Sequence, residues 1–427
     1  MRPEQPTASV FDTLESEVRS YCRSWPTVFD RAQDSYLYGE DGRAYLDFFA
    51  GAGTLNYGHN NRGLLQSLIA YLQRGGVTHA LDMSTTAKRA FLETFRDVIL
   101  RPRQLDYKVM FPGPTGTNAV EAALKLARKV TGRRNVVFFT NGFHGMTLGS
   151  LAVTSNALKR AGSGVPLEHT TPMPFDGYLS GETESRLPWL ERLLDDPQGS
   201  GFNRPAAVIV ETVQGEGGVN IARPRWLRAL AELCRRHEVL LIVDDVQMGC
   251  GRTGPFFSFE EAGITPDIVT LAKSISGYGL PMALTLFRPE LDIWAPGEHN
   301  GTFRGNNPAF VTGTSALLEY WRDDHLEKQT YAYGQRVEQA LSALVEAHPG
   351  SQHRGRGLVW GLQFAEPGRA AAVCRNAFER GLLVETSGPH DEVVKLLPPL
   401  TISSEDLDHG LGLLAAAVAS TPGKVVE

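Results

Sequence analysis

An acid and an amine follow two neighbouring apolar runs within the stretch from Val239 to Ala283. The first run ends in Asp244 and the second ends in Lys273. Short runs rich in Val, Ile and Leu are typical of strands buried on both faces of a parallel sheet. Ligands bind at the carboxyl ends of such strands, so we expect both side chains to face one crevice. A carboxylate and a lysine in a water-poor crevice suit a cofactor held as a Schiff base, and pyridoxal phosphate needs that pair.

A loop rich in glycine and threonine, 112–118, lies between the apolar run Tyr107–Phe111 and an amphipathic helical pattern that stops at Gly132. The start of a helix presents free N–H groups and the positive end of the helix dipole, which together bind phosphate. Gly116 and Thr117 are therefore candidate phosphate ligands. The alternative is that the loop is only the capped start of a helix.

Other groups follow predicted strands in the same way: Phe143 and His144 after 135–140, Glu211 and Glu216 after 206–210, and Gln247 just beyond Asp244. An aromatic residue at a strand end can stack on a flat ring, but it is also common in ordinary loop packing. Each feature alone is a weak signal. Together, a phosphate loop, an aromatic residue, an acid cluster and a lysine at the ends of different strands of one sheet indicate a cofactor site.

One glycine motif is misleading. Gly249 to Gly254 matches GxGxxG after an apolar strand, as a dinucleotide-binding fingerprint does. However, polar residues separate the strand from the glycines, and Pro255 interrupts the expected helix. The sequence also lacks GxxxxGK[ST], HExxH and GxSxG motifs, so we predict no nucleotide-hydrolysing loop, no metal site and no serine-hydrolase elbow.

Composition narrows the class of protein further. The chain has 427 residues, of which 42% are hydrophobic and 21% charged, which is ordinary for a globular protein of two or three domains. Its net charge of −6 gives no sign of a nucleic-acid partner. The four cysteines lack CxxC spacing, and we find no apolar run of membrane-spanning length. These features predict a cytoplasmic protein without a membrane segment.

The remaining pattern predicts the elements that position these groups. Buried strands alternating with helices indicate an α/β fold, and the chain from Gly355 onward reads as a small α+β unit completed by a hairpin at 36–48. We expect helices at 63–74 and 84–100, and a substrate loop at 51–59. The polar stretch 157–203 predicts a single helix, near 184–194.

Several blocks resemble one family. They are PTGTNAVEAALKLAR, GFHGMTLGSLA, ETVQGEGG, IVDDVQMGCGRTG and LAKSISGYGLP, and in this order they are similar to the class III aminotransferases, which use pyridoxal 5′-phosphate. The resemblance covers nearly the whole chain. It implies a fold-type-I enzyme with a mostly parallel seven-stranded sheet in a large cofactor-binding domain, 51–320. The segments 1–50 and 321–427 would form the small α+β domain.

The resemblance also implies roles for the candidate residues. Lys273 would hold the cofactor and carry the proton, Asp244 would pair with the pyridine nitrogen, and Gln247 would bond the phenolic oxygen. The other predicted cofactor-binding residues are Gly116 and Thr117 at the phosphate, Phe143 on the ring face, His144, Glu211, and Thr302 reaching across a subunit interface. The protein would then be a homo-oligomer with its active site at a dimer interface.

Two positions depart from the family pattern. Asp245 replaces the usual glutamate of the acid cluster, and Lys395 stands where related enzymes carry an arginine for the carboxylate of the 2-oxo acid. In those enzymes the glutamate matching Glu216 masks that arginine. A lysine offers a point charge in place of a bidentate fork. Glu216, Lys395 and Arg304, the last as an additional carboxylate ligand, are therefore the candidate substrate residues.

Within the family, the blocks THALDMSTTAKRAF, SISGYGLPMALTLF and HNGTFRGNNPAF resemble the branch that moves the terminal amine of L-2,4-diaminobutyrate to 2-oxoglutarate, the first step toward ectoine. The partners would be these small molecules and their products, glutamate and aspartate 4-semialdehyde. Alternatives are an ω-aminotransferase acting on ornithine or 4-aminobutyrate, and diaminobutyrate transfer for siderophore or polyamine synthesis. More distant alternatives are an aminomutase and a non-catalytic cofactor-binding protein.

Overall fold

The computed structural model describes residues 9–179 and 187–421. Its strands are β1 Phe29–Gln33, β2 Tyr36–Gly39, β3 Ala44–Asp47, β4 Lys108–Met110, β5 Val136–Phe139, β6 Thr170–Met173, β7 Ala207–Val210, β8 Val213–Gln214, β9 Asn220–Ile221, β10 Leu240–Asp244, β11 Ile268–Leu271, β12 Leu284–Phe287, β13 Gln352–Arg356, β14 Val359–Gln363, β15 Leu382–Leu383, β16 Glu385–Ser387 and β17 Val393–Leu396.

The α-helices are α1 Val10–Leu14, α2 Tyr21–Ser24, α3 Ala50–Gly53, α4 Arg62–Gln73, α5 Thr86–Thr94, α6 Gly116–Thr131, α7 Leu148–Ala152, α8 Ala157–Ala161, α9 Pro188–Asp195, α10 Pro224–Arg236, α11 Asn307–Tyr320, α12 His325–Ala347, α13 Arg369–Glu379 and α14 Ser404–Ala419. Most of them bury part of one face, whereas α1, α2 and α8 contain no buried residue.

The central sheet has seven strands in the order β4-β12-β11-β10-β7-β5-β6. β12 pairs antiparallel with both of its neighbours, and the other pairings are parallel. Strands β5, β7, β10, β11 and β12 are buried at every position, which explains why they read as unbroken apolar runs. The predicted α/β fold with a mostly parallel seven-stranded sheet is confirmed, and the carboxyl ends of β4, β5, β7, β10 and β11 share one edge.

The two ends of the chain meet in smaller sheets. β1, β2 and β3 form an antiparallel meander, and β15 from the C-terminal part adds to it in parallel with β3. A second sheet, β13-β14-β17-β16, is antiparallel throughout. The hairpin predicted at 36–48 is confirmed by the pairing of β2 with β3. The domain bounds at 50 and 320 stay a prediction.

Two of the local predictions were wrong. The helix expected over 84–100 is α only as far as Thr94 and continues as a π-helix over Phe95–Leu100. The polar stretch 157–203 holds α8 and β6 besides α9, because β6 is short and lies at the edge of the sheet, where an apolar run is not required. The helix expected near 184–194 is confirmed by α9 from Pro188 onward, and 180–186 lie outside the described residues.

The misleading glycine motif forms turns around a fully buried arginine. Arg252 is 0% exposed and donates from Nη1 to the carbonyl oxygens of Leu358 at 2.9 Å and Pro398 at 2.5 Å. Its Nη2 donates to Asn56 Oδ1 at 2.6 Å. Burial lowers the pKa of this guanidinium to about 9. The segment therefore ties the large sheet to the C-terminal strands.

Over the described residues, no helix is both long and apolar enough to cross a membrane. The same part of the chain contains no group of three or more His, Cys, Asp or Glu side chains placed to hold a metal ion. The cysteines of the sequence are all unpaired.

Candidate active site

A cavity of about 360 Å³ opens at the carboxyl edge of the central sheet. Its walls come from the loops after β4, β5, β7, β10 and β11, the five strands whose carboxyl ends share that edge. Among the lining residues are these predicted site residues: Gly116, Thr117, Phe143, His144, Glu211, Glu216, Asp244, Gln247 and Lys273. Residues from five separate parts of the sequence thus meet in one space, as the order of strand ends predicts.

Lys273 begins a single 3-10 turn directly after β11. Its backbone has a φ of 51°, a left-handed conformation that is unusual for a residue other than glycine. The Nζ atom donates a hydrogen bond to the carbonyl oxygen of Ala52 at 2.8 Å. Burial lowers the pKa of this amine to about 8, although the charge of Glu216 acts to raise it. Lys273 is thus a partly buried amine that loses its proton near pH 8.

Asp244 is the last residue of β10 and lies 5% exposed at the cavity wall. Its Oδ1 accepts a hydrogen bond from Thr270 Oγ1 at 2.9 Å, and its Oδ2 lies 2.7 Å from His144 Nδ1. Burial alone would lower the pKa of His144, but the hydrogen bond and charge of Asp244 outweigh burial and raise it. The carboxylate is therefore fixed in direction, and its charge is supported by an imidazole.

The turn Ala50–Gly53 approaches both Lys273 and Gln247. Gln247 Nε2 donates to the Ala52 carbonyl oxygen at 3.0 Å, so that one oxygen accepts bonds from both side chains. The four residues of this turn have φ values of 47°, 58°, 57° and 81°. Two of them are alanines, so the turn is strained, which is common where a backbone must approach reacting groups. The loop expected over 51–59 contains this helical turn.

The first residues of α6 form the wall opposite. The Thr115 side chain caps the helix together with Asn118, whose Oδ1 accepts from Thr115 N at 3.2 Å. The N–H groups of Gly116 and Thr117 have no acceptor among the described residues. A Cβ atom on Gly116 would lie 2.8 Å from a methyl carbon of Val246, so only glycine fits here. This helix start is free to bind an anion.

Phe143 and Glu211 complete the inner wall. The backbone N–H of Phe143 donates to Glu211 Oε1 at 2.9 Å. Glu211 is 7% exposed, and burial raises its pKa to about 7. The acid therefore holds the loop that carries the aromatic ring.

Beside the cavity, Lys395 forms a charged cluster that the sequence pattern predicted only in part. Its Nζ contacts Glu216 Oε1 at 2.7 Å and Glu385 Oε1 at 2.9 Å, and the lysine is 0% exposed. Burial opposes its charge, but the two carboxylates outweigh burial and raise the pKa of Lys395. Burial alone would raise the pKa of Glu216, but Lys395 and Lys273 lower it to about 2.

Glu385 is the residue of this cluster that sequence reasoning missed. It lies in GLLVET, within the part of the chain from Gly355 onward that was predicted only as a small α+β unit. In the structure, β16 pairs antiparallel with β17, and Glu385 stands directly opposite Lys395. The signal available in the sequence was an acid and a base within two neighbouring short strands, since opposite charges often face each other across such a pair.

Thr302 and Arg304 are not brought to this cavity within the chain. They form a 3-10 turn in which the Thr302 carbonyl oxygen lies 2.7 Å from His79 Nε2. Arg304 Nη1 donates to His299 O at 3.0 Å and to Asn300 Oδ1 at 3.1 Å. Any role of either residue at the site stays a prediction.

Comparison with known proteins agrees with this geometry. The profile of the family described as aminotransferase class III matches residues 20–418. The chain belongs to the class III aminotransferases. Related members include a protein of Streptomyces anulatus that is 71% identical over 97% of this chain and 99% of its own length. Another, from Halalkalibacterium halodurans, is 58% identical over 97% of both chains. Both are named diaminobutyrate--2-oxoglutarate transaminase.

Solved structures of aminotransferases share the fold. One from Bacillus anthracis has a TM-score of 0.84 at 25% identity, and the match covers 95% of this chain and 96% of that one. An ornithine aminotransferase from Toxoplasma gondii, described with partial occupancy of PLP at its active site, has a TM-score of 0.79 at 25% identity. The match covers 98% of this chain and 92% of that one. The predicted family, enzyme class and cofactor of this chain are thereby confirmed.

Proposed function

We propose that this class III aminotransferase moves the terminal amino group of L-2,4-diaminobutyrate to 2-oxoglutarate, giving aspartate 4-semialdehyde and glutamate. The observation that carries the substrate is the full-length identity of 56–71% to relatives named for this reaction. That this reaction is a step of ectoine synthesis stays a prediction from the resemblance.

The residues of the cavity fit pyridoxal phosphate. The start of α6 offers the unpaired N–H groups of Gly116 and Thr117 to a phosphate, Asp244 offers a carboxylate to a pyridine nitrogen, and Lys273 offers an amine to an aldehyde. These groups line one cavity on different walls, as the different ends of the cofactor require. When bound, the cofactor supplies an electron-withdrawing ring that stabilises negative charge on the substrate carbon.

Lys273 is the residue that moves the proton. With its pKa lowered to about 8, a substantial part of the amine is neutral near pH 7–8 and can accept the proton of the reacting carbon. The Ala52 carbonyl oxygen holds Nζ in one direction. After it has accepted the proton, the ammonium can donate it again, so the same nitrogen serves as base and acid.

Asp244 acts as a fixed counter-charge. Thr270 and His144 occupy hydrogen-bonding positions on its two oxygens, so the carboxylate cannot turn away from the cavity. Glu211 holds the Phe143 loop, which places the aromatic ring as one wall of the site. We assign Gln247 to the phenolic oxygen of the cofactor, since it lines the cavity beside Lys273.

Lys395 and Glu216 are assigned to the substrate. The ammonium of Lys395 is the cation offered to the carboxylate next to the reacting carbon of 2-oxoglutarate. Glu216 contacts this ammonium at 2.7 Å and also lines the cavity, so its negative charge faces an incoming amine donor. We further infer a homo-oligomer in which Thr302 and Arg304 reach the site of a neighbouring subunit.

The experiment that tests the reaction is a panel of amine donors with 2-oxoglutarate as acceptor. Diaminobutyrate should give glutamate with the highest kcat/KM, ahead of ornithine and 4-aminobutyrate. Higher turnover of ornithine would overturn the substrate assignment. Glutamate formation should depend on 2-oxoglutarate, and product from an amino donor alone would favour an aminomutase.

A further inference from the structure

A second chamber of about 300 Å³ adjoins the cavity that holds Lys273. The two spaces share Phe143 and Glu216 in their walls. The outer chamber is closed on one side by α8 and on the other by the turn 388–391 after β16. A substrate whose reacting end lies at Lys273 would enter this chamber by passing Glu216 and Phe143.

Lys159 of α8 places a positive charge in the chamber. Asn156 caps this short helix by accepting a hydrogen bond from Lys159 N at 3.0 Å, which fixes the backbone. The Nζ atom lies 4.3 Å from the centroid of the Phe143 ring, a cation–π contact. Within residues 9–179 and 187–421, this ammonium has no hydrogen bond, and no carboxylate lies within ion-pair distance of it.

Of the other charged groups around the chamber, Glu216 interacts electrostatically with Lys159 but makes its close ion pair with Lys395, at 2.7 Å. Asp391 accepts from Thr386 Oγ1 at 3.1 Å, and His390 is the remaining titratable group of the lining. Lys159 is half-buried and makes no close ion pair, so its ammonium is available to an anionic ligand in the chamber.

Each of the two proposed substrates carries a carboxylate that could be this anion. In diaminobutyrate, the reacting carbon is the one that loses the terminal amine. The carboxylate of diaminobutyrate and the distal carboxylate of 2-oxoglutarate lie the same number of bonds from the reacting carbon of each molecule. With the reacting carbon at Lys273, both carboxylates would extend equally far from it. One cation can then serve both substrates.

We propose that Lys159 binds the carboxylate remote from the reacting carbon in both half-reactions. This inference rests on the proposed function. Lys395 is fully buried between Glu216 and Glu385, so it is less accessible to this group than Lys159. The ring of Phe143 positions the Lys159 ammonium, and Lys159 thereby becomes a specificity-determining residue.

The test compares substrates with and without the remote carboxylate. 1,3-Diaminopropane is diaminobutyrate without its carboxylate, and pyruvate lacks the distal carboxylate of 2-oxoglutarate. The holoenzyme is measured with all four compounds, beside Lys159→Met, which keeps the alkyl stem on Phe143, and Lys159→Arg, which keeps the charge. Lys328→Met is the matched control, because Lys328 forms an exposed ion pair with Asp324 away from the cavity.

We expect Lys159→Met to lower kcat/KM for diaminobutyrate and for 2-oxoglutarate by about ten- to a hundredfold, as loss of a charge-assisted hydrogen bond does. The change should lie mainly in KM. For 1,3-diaminopropane and pyruvate, the kcat/KM of Lys159→Met should stay within about threefold of that of the unaltered protein. Lys159→Arg should recover much of the kcat/KM lost for diaminobutyrate and 2-oxoglutarate. Equal losses with all four compounds would overturn the inference in favour of a packing role on Phe143, and so would unchanged kinetics. The wild-type values test the proposed function separately.

Discussion

Lys273 and Lys395 both lie close to Glu216, Lys273 partly buried and Lys395 fully buried, and loss of solvent acts to lower the pKa of each. Around Lys273 the close hydrogen-bonding partner is a neutral carbonyl oxygen, and the pKa falls to about 8. Around Lys395 two carboxylates lie within 2.9 Å, and the pKa rises. The pairing of the ammonium decides the outcome, since desolvation is common to both. One lysine is thus suited to exchanging a proton and the other to remaining charged.

Replacing the proton-exchanging lysine should have the largest effect. Lys273→Ala removes the amine that holds the cofactor and moves the proton, so kcat should fall by roughly a thousandfold or more. The visible absorbance of the lysine-linked cofactor should disappear as well. Steady-state kinetics and absorbance spectra measure the two effects. Retention of that absorbance band would contradict the assignment of this lysine.

Replacing Lys395 should lower the stability of the protein as well as weaken the binding of 2-oxoglutarate. Lys395→Met leaves Glu216 and Glu385 buried without their cation, so the free energy of unfolding should fall by about 3–5 kcal/mol in urea titrations at neutral pH. Lys328→Met, at an exposed pair, should change it by less than about 1 kcal/mol.

The pH dependence of that variant gives an independent check. Without Lys395, burial would raise the pKa of both carboxyl groups above their unfolded values. A group with a raised folded pKa contributes its stability at low pH and loses it as pH rises through the folded value. The deficit of Lys395→Met should therefore shrink on acidification. A deficit that is the same at pH 5 and pH 8 would show that lost packing, and not charge, destabilises the variant.

A smaller effect links the two lysines through Glu216. In the cofactor-free protein, the rate of cofactor uptake should rise with pH to a midpoint near 8, because the neutral Lys273 amine is the nucleophile. Glu216 raises that pKa, so Glu216→Gln should move the midpoint down by a fraction of a pH unit. Glu238→Gln, at an exposed surface pair, is the control and should leave it unchanged. A wild-type midpoint near the ordinary lysine value of about 10.4 would contradict the lowered pKa.

Most of the surroundings of Lys273 could be predicted from the sequence, and those of Lys395 only in part. Asp244 and Lys273 were found because each lies at the carboxyl end of an apolar run, and such runs form fully buried parallel strands that place side chains at one sheet edge. The start of α6 was found through its glycines and its helical spacing. Such features depend on local sequence and on a rule that holds for parallel sheets in general.

Features that depend on distant backbone pairing were not predicted. Glu385 meets Lys395 only because β16 and β17 adopt one particular register, and short strands carry little information about register. The Ala52 carbonyl oxygen reaches Lys273 through a strained left-handed turn that alanine does not favour by itself. The π-helix at Phe95–Leu100 likewise has the same apolar spacing as the α-helix that was expected.

Arg252 has a consequence for how the chain is made. Its guanidinium is buried, and its partners are Asn56, far upstream, and the carbonyl oxygens of Leu358 and Pro398, far downstream. During synthesis, the loop that follows Asp244 emerges from the ribosome long before those carbonyl groups do. A buried guanidinium without acceptors is costly, so this part of the cofactor wall can reach its final packing only after residue 398 has been translated. The packing around Arg252 is therefore completed only after the segments that hold Asn56, Leu358 and Pro398 have all been made.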